Sequence, residues 1–192
     1  PPAAEPIETP ICGGGGGTTT LPLLTTYCTP GNQGDSGKAG QRSITSFTIN
    51  GTTIAVNETS ANYSPAYRGY KNSEANAIEV TPGQTFTISS IHQDNWIHIN
   101  AFVDWNHDGV FERIGRSPGA DAGGAASFSV TVPNDAAIAY TPLRLMLAWL
   151  NVNDACTFSS PNNPCIAVDI DLKVIESAYC AQPTFARHTT GT

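Results

Sequence analysis

From Arg42 onward, apolar residues tend to recur at every second position. Ile44, Phe47 and Ile49 stand among Ser and Thr; Ile78 and Val80 lead into Pro82-Gly83, and Phe86 and Ile88 follow. Residues 96–103 (WIHINAFV) form a longer apolar run. Phe128, Val130 and Val132 alternate with Ser and Thr up to Pro133, and Leu143, Leu145, Leu147 and Trp149 continue the pattern. In the last such run Val168, Ile170, Leu172 and Val174 alternate with Asp169, Asp171 and Lys173. A period of two places every second side chain on one face, so each run predicts a short strand with a buried side. Gly, Pro and Asn separate the runs, and no stretch has helical spacing. The pattern predicts an all-β chain folded as an antiparallel β-sandwich, immunoglobulin-like or jelly-roll-like.

Outside the alternating region the character changes. Residues 1–26 (PPAAEPIETPICGGGGGTTTLPLLTT) have linker composition and cannot repay their ordering entropy alone. The chain therefore divides into an N-terminal arm (1–26), a sandwich (27–176) and a C-terminal extension (177–192). An ordered arm needs a holder, either its own core or a neighbouring subunit, with Leu21, Leu23 and Leu24 as anchors. Thr26-Tyr27-Cys28-Thr29-Pro30 is echoed 152 residues later by Ala178-Tyr179-Cys180-Ala181-Gln182-Pro183. A Tyr-Cys that reopens after the last strand looks like the start of a second copy. The beginning Pro-Pro-Ala-Ala fits a processed, mature chain.

Composition narrows the partners. Of 192 residues only 13% are charged, and 16 Asp+Glu against nine Lys+Arg give a net charge of −7. An acidic chain without a basic cluster repels a phosphate backbone, so nucleic acid is excluded. No apolar run approaches the roughly 18 residues a membrane helix needs, which excludes membrane insertion. Five cysteines (Cys12, Cys28, Cys156, Cys165 and Cys180) contain no C-x-x-C pair. Cys156 and Cys165 bracket a polar loop, a disulfide worth roughly 2–3 kcal/mol by the loop-entropy model. Cys12–Cys28 is a second expected pair around the glycine run, which leaves Cys180 over. Such bridges point to a secreted chain, extracellular or at the cell surface.

The strongest chemical constellation is Asp104-Trp-Asn106-His-Asp108-Gly109-Val110-Phe-Glu112. Oxygens at positions 1, 3 and 5, glycine at 6, a backbone carbonyl at 7 and a carboxylate at 9 suit calcium. Position 12 is Gly115 rather than Glu, so Asp169 or Asp171 would have to complete the set. Asn-His-Asp-Gly reads equally as a hairpin turn, because Asp-Gly is a turn signal in its own right. Gly34-Asp35-Ser36-Gly37 resembles a protease nucleophile segment, but no His precedes His92 to serve it. Gly31 to Lys38 resembles a phosphate loop with the wrong spacing and with Ala39 where a metal-binding hydroxyl belongs. The four histidines show no metal spacing, and His98 alternates outward between Ile97 and Ile99. Tyr63, Tyr67 and Tyr70 could stack on sugar rings or pack against the sandwich. Asn50, Asn57 and Asn62 each begin a glycosylation sequon.

Tyr27-Cys28, the segment from Val103 to Phe111, Pro142-Leu-Arg-Leu-Met146, Pro164-Cys165 and the closing acidic strand together resemble the GEVED domain. The resemblance covers roughly residues 27–175. At the name-giving end, where Gly-Glu-Val-Glu-Asp-Tyr-Thr-Val is expected, this chain reads Ile166-Ala-Val-Asp-Ile-Asp-Leu-Lys-Val174, a degenerate version of the motif. The resemblance implies a β-sandwich module of secreted and cell-surface bacterial proteins, used beside other modules and without catalytic activity. No nucleophile–base pair is visible to contradict that. The expectation is a structural or adhesive module, a repeating fibre subunit that meets other copies of itself head-to-tail through its terminal arms. The alternative is a carbohydrate-binding accessory domain of a secreted hydrolase or protease.

Overall fold

Period-two patterning becomes ten strands in the computed structural model, which describes residues 20–30, 44–58, 67–70, 74–92, 96–120, 125–149, 151–157 and 166–177. In chain order they are β1 (Ile44–Ile49), β2 (Thr52–Glu58), β3 (Tyr67–Tyr70), β4 (Ile78–Val80), β5 (Thr85–His92), β6 (His98–Val103), β7 (Glu112–Arg116), β8 (Ala125–Thr131), β9 (Tyr140–Ala148) and β10 (Ile166–Val174). One sheet runs β2-β1-β5-β8, and the other runs β3-β10-β9-β6-β7 with β4 also alongside β10. Neighbours pair antiparallel except β3 and β4, which both run parallel to β10. The sandwich expected from the alternation is the fold.

Turn chemistry sets the register. Asn50 and Gly51 both have positive φ, which is the backbone a two-residue β1–β2 connection requires. The Asn50 amide donates to the Glu79 carbonyl and its oxygen accepts from Gln84, so a glycan on its nitrogen would have to fit beside both bonds. Asn57 lies on β2, and Asn62 is outside the described residues.

The alternating residues meet between the sheets. Phe47, Ile49, Phe86, Ile88 and Val130 of the first sheet face Ile99, Ala101, Val103, Leu143, Leu145, Leu147, Val168 and Ile170 of the second. Burial does not stop at that interface. All of β10 except Lys173 is buried, and so is all of β9 after Tyr140. A second apolar cluster (Phe102, Met146, Ala148, Val152, Ala155 and Ala167, with Phe111 against it) covers the outer face of the larger sheet.

Residues 20–30 help to cover that face, so the docked unit begins earlier than the composition change at residue 27 suggested. Leu21 receives a hydrogen bond from Tyr140 N–H at 3.1 Å and donates its own N–H to the Ile138 carbonyl at 3.3 Å. Its side chain is 45% exposed, so Leu21 anchors through its backbone and not through its side chain. On the other side of this point Val174 N–H donates to Ala139 at 2.8 Å. The incoming segment and the end of β10 therefore flank the same point of the chain, at one end of the sandwich. No helix among the described residues is long and apolar enough to cross a membrane.

Candidate functional site

Strand parity puts Phe102 of β6, Arg144 of β9 and Asp169 of β10 side by side on the outer face, since Phe102 pairs with Arg144 and Arg144 with Asp169. Arg144 Nε donates to Asp169 Oδ1 and Nη2 to Oδ2, each at 2.7 Å. Nη1 donates to the carbonyls of Cys28 (2.8 Å) and Ala155 (3.0 Å) and approaches Cys28 Sγ at 3.4 Å. The guanidinium also lies 4.3 Å from the centre of the Phe111 ring. A planar fork with its donors satisfied is the form in which Arg tolerates burial.

Onto this floor comes the Tyr27-Cys28 segment. Tyr27 packs its ring 4.9 Å from Phe111 and donates its hydroxyl to Asp104 Oδ2 at 2.7 Å. Cys28 forms a disulfide with Cys156, with their Cα atoms 5.5 Å apart. The pairs expected from spacing, Cys12–Cys28 and Cys156–Cys165, therefore do not form. Sequence proximity favoured short loops, whereas Arg144 draws Cys28 across the sheet to the 151–157 loop. Cys12, Cys165 and Cys180 lie outside the described residues. A cavity of about 360 Å³ opens beside the disulfide, lined by Thr26, Phe102, Val110, Phe111, Arg113 and Asp154 among others.

The Asp104–Glu112 loop forms the neighbouring wall. Asp104 Oδ1 accepts Asp108 N–H at 3.1 Å and Oδ2 accepts Gly109 N–H at 2.8 Å. Asn106 Oδ1 also accepts Asp108 N–H, Asn106 Nδ2 donates to Asp108 Oδ2, and Asp108 Oδ1 accepts Val110 N–H. Gly109 has a φ of 88°, which a side chain would strain, and His107 also adopts a positive φ while bonding the Pro22 carbonyl. The Asp-Gly turn read from the sequence is present, and the oxygens of Asp104, Asn106 and Asp108 accept the loop's own N–H groups.

Its donors are all oxygen, the chemistry a hard cation takes. Burial, followed by the charges of Asp104, Asp108 and Asp135, pushes the Glu112 carboxyl above its usual range. Among the described residues no three His, Cys, Asp or Glu side chains converge as a metal-holding group, so calcium would rely on Asn106 and the Val110 carbonyl as well. Asp169 does not complete the set, because Arg144 holds both of its oxygens. Asp171 sits elsewhere, opposite Pro142 on β10, where burial and then Glu74 and Asp169 push its carboxyl up to about 6.

The remaining sequence candidates are scattered. Tyr67 and Tyr70 bound β3, and Tyr63 lies outside the described residues. His98 is on the outer face but half-buried, accepting from Trp96 Nε1 at 3.1 Å and bonding the Ser117 carbonyl at 3.0 Å. Burial lowers its pKa, and nearby Arg116 adds to that against the Ser117 bond. Trp96 lies over Gly119, where any Cβ would collide with the indole.

Residues 98–168 match the family model of the GEVED domain. No curated protein matches the chain. Among solved structures, one described as the structural basis of T cell specificity and activation by the bacterial superantigen toxic shock syndrome toxin-1 aligns with 52% of this chain and 92% of its own. Its 9% identity and TM-score of 0.31 are too slight to bear on fold or function. The family match runs from β6 into the first residues of β10 and takes in Asp104, Phe111 and Arg144, which receive Tyr27 and Cys28, while Asp169 lies one residue beyond it, and over this region the chain is similar to the GEVED domain.

Proposed function

We propose that this chain is a non-catalytic extracellular structural module, a repeating subunit of a cell-surface or extracellular fibre joined through its terminal segments. The observation that carries this reading is the manner in which residues 20–28 are held. They cover the sheet as an added piece, fixed by one disulfide, a Tyr–Asp hydrogen bond and a few backbone bonds. A short segment bound by such local contacts can come from its own chain or from a neighbour, and exchange that does not close into a ring grows filaments. The disulfide suits an oxidising compartment. Calcium in the Asp104–Glu112 loop would stiffen the wall on which Tyr27 rests.

Light scattering and electron microscopy of the intact chain against one trimmed to residues 29–177 test the proposal. Polymers are expected from the intact chain, and monomers with an unchanged far-ultraviolet spectrum from the trimmed one. An intact chain that stays monomeric, or a trimmed chain that polymerises as well, rejects it.

Carbohydrate binding is the second reading. Trp96 and Trp149 are 41% and 44% exposed. The pairing of His98 with Ala148 places them at one end of the β6–β9 ladder. Exposed indoles stack well on sugar rings. Binding to insoluble polysaccharide that Trp96→Ala abolishes would favour this reading.

A further inference from the structure

We propose that the cleft holding Tyr27 and Cys28 is also the receptor for the chain's other Tyr-Cys segment, Tyr179-Cys180, supplied by a second copy. The proposal deepens the assembly reading and rests on it.

The cleft recognises few features. It reads a phenol through Asp104 and Phe111, and a cysteine through Cys156 and through Arg144, which binds both the carbonyl and the sulfur. Tyr179-Cys180 carries those same groups, again with a small residue before and a proline shortly after. No other Tyr-Cys pair occurs in the sequence.

Reach favours another molecule as the donor. The chain leaves the sheet after Ile175, whose N–H bonds the Val80 carbonyl, whereas the cleft lies at the level of Asp169. Six strand residues separate the two levels by about 20 Å. Five residues from Ile175 to Cys180 extend to at most about 18 Å, to which a bridge adds the 5.5 Å between bonded Cα atoms, so the length suffices only for a straight run back along the sheet. A chain leaving the end of β10 has first to reverse direction, which spends that margin, and a second copy has no such reversal to make.

Exchange needs no external oxidant. The Cys180 thiolate attacks Cys156 Sγ, a new S–S bond forms, the Cys28–Cys156 bond breaks, and Cys28 leaves as a thiolate. The proton released from Cys180 passes through solvent to Cys28. Arg144 Nη1 beside Cys28 Sγ stabilises the departing charge, which directs attack to Cys156. Cys156 lines the open cavity through which the incoming sulfur arrives.

The test incubates the intact chain at neutral pH with a thiol peptide of residues 177–185 and maps adducts by mass spectrometry. The expected product is a peptide Cys180–Cys156 bridge with Cys28 released. Tyr179→Ala in the peptide should lower its yield at least about tenfold, the factor expected for losing a hydrogen bond to a carboxylate. Glutathione reacting as fast as the peptide, or a Tyr179→Ala peptide reacting as well as its parent, overturns the proposal. Light scattering separates the two readings. A chain that polymerises without a Cys180–Cys156 link keeps the assembly reading and overturns this one. A chain that stays monomeric although its cleft takes the peptide overturns the assembly reading itself.

Discussion

Arg144 and Asp169 face one another across the β9–β10 ladder as a two-bond pair, with relative exposures of 1% and 0%. A pair this deep is costly to form, and its partners are costlier to separate. Arg144→Ala leaves the Asp169 carboxylate buried without its counter-charge and removes the donor to Cys28 and Ala155. The expected loss is about 3–5 kcal/mol of unfolding free energy. The double variant Arg144→Met/Asp169→Leu should recover most of it, because no buried charge remains. Urea denaturation of the two variants decides, and a double variant as unstable as the single one would contradict the argument.

The Cys28–Cys156 bridge closes 128 residues, nearly the whole sandwich. By the loop-entropy model a closure of this size is worth about 4–5 kcal/mol, well above the short loops expected from cysteine spacing. Cys28→Ser/Cys156→Ser should therefore melt markedly lower than the parent by calorimetry. A double variant that melts with the parent would contradict the argument.

That contrast shows what the sequence could and could not convey. Strand identity was legible because burial on one face writes itself as a period of two, and Phe47, Leu145 and Ile170 occupy the core as their parity requires. The outer layer was not legible. Arg144 lies between Leu143 and Leu145, with Met146 and Ala148 next on its own face, and this apolar company was the available sign that the outer face is buried too. Its partners, Asp169 at 25 residues and Cys28 at 116, are neighbours only once three strands are aligned. Spacing rules see the Asp104–Glu112 loop because its oxygens are local, and miss Tyr27 on Asp104 because that contact crosses 77 residues.

Asp171 gives stability a pH dependence whose sign is fixed. Its carboxyl is raised from 3.8 to about 6 by burial first, then by Glu74 and Asp169. Below pH 3.8 it is protonated in both folded and unfolded chains. Between 3.8 and about 6 the folded protein keeps a proton that the unfolded chain has lost, so this contribution falls as pH rises and is gone above about 6. Asp171→Asn should abolish that slope and raise stability near pH 7.5 by about 1–2 kcal/mol, allowing for screening at the outer face. Unfolding free energies measured from about pH 4 to 8 provide the check, and a variant that keeps the parent's slope would assign it to another group.

The Asp104–Glu112 loop yields the last prediction. Its backbone is already turned by Gly109 and by the bonds that Asp104, Asn106 and Asp108 make to it, so a cation would meet oxygens in place rather than have to fold the loop. Extracellular calcium modules bind in the range of about 0.1–1 mM, and ten- to hundredfold excess over such a constant stabilises by about 1–3 kcal/mol. Calcium at 10 mM (about that excess) should therefore raise the melting temperature above its value in chelator. Asp108→Ala should remove the difference while changing the chelated protein little, since Asp108 is exposed and its bonds stay within the loop. Gly109→Ala should instead lower stability by about 1 kcal/mol with or without calcium, because its cost lies in the positive φ. Identical melting curves in calcium and chelator would reduce the loop to a turn, with its carboxylates serving only the backbone and Tyr27.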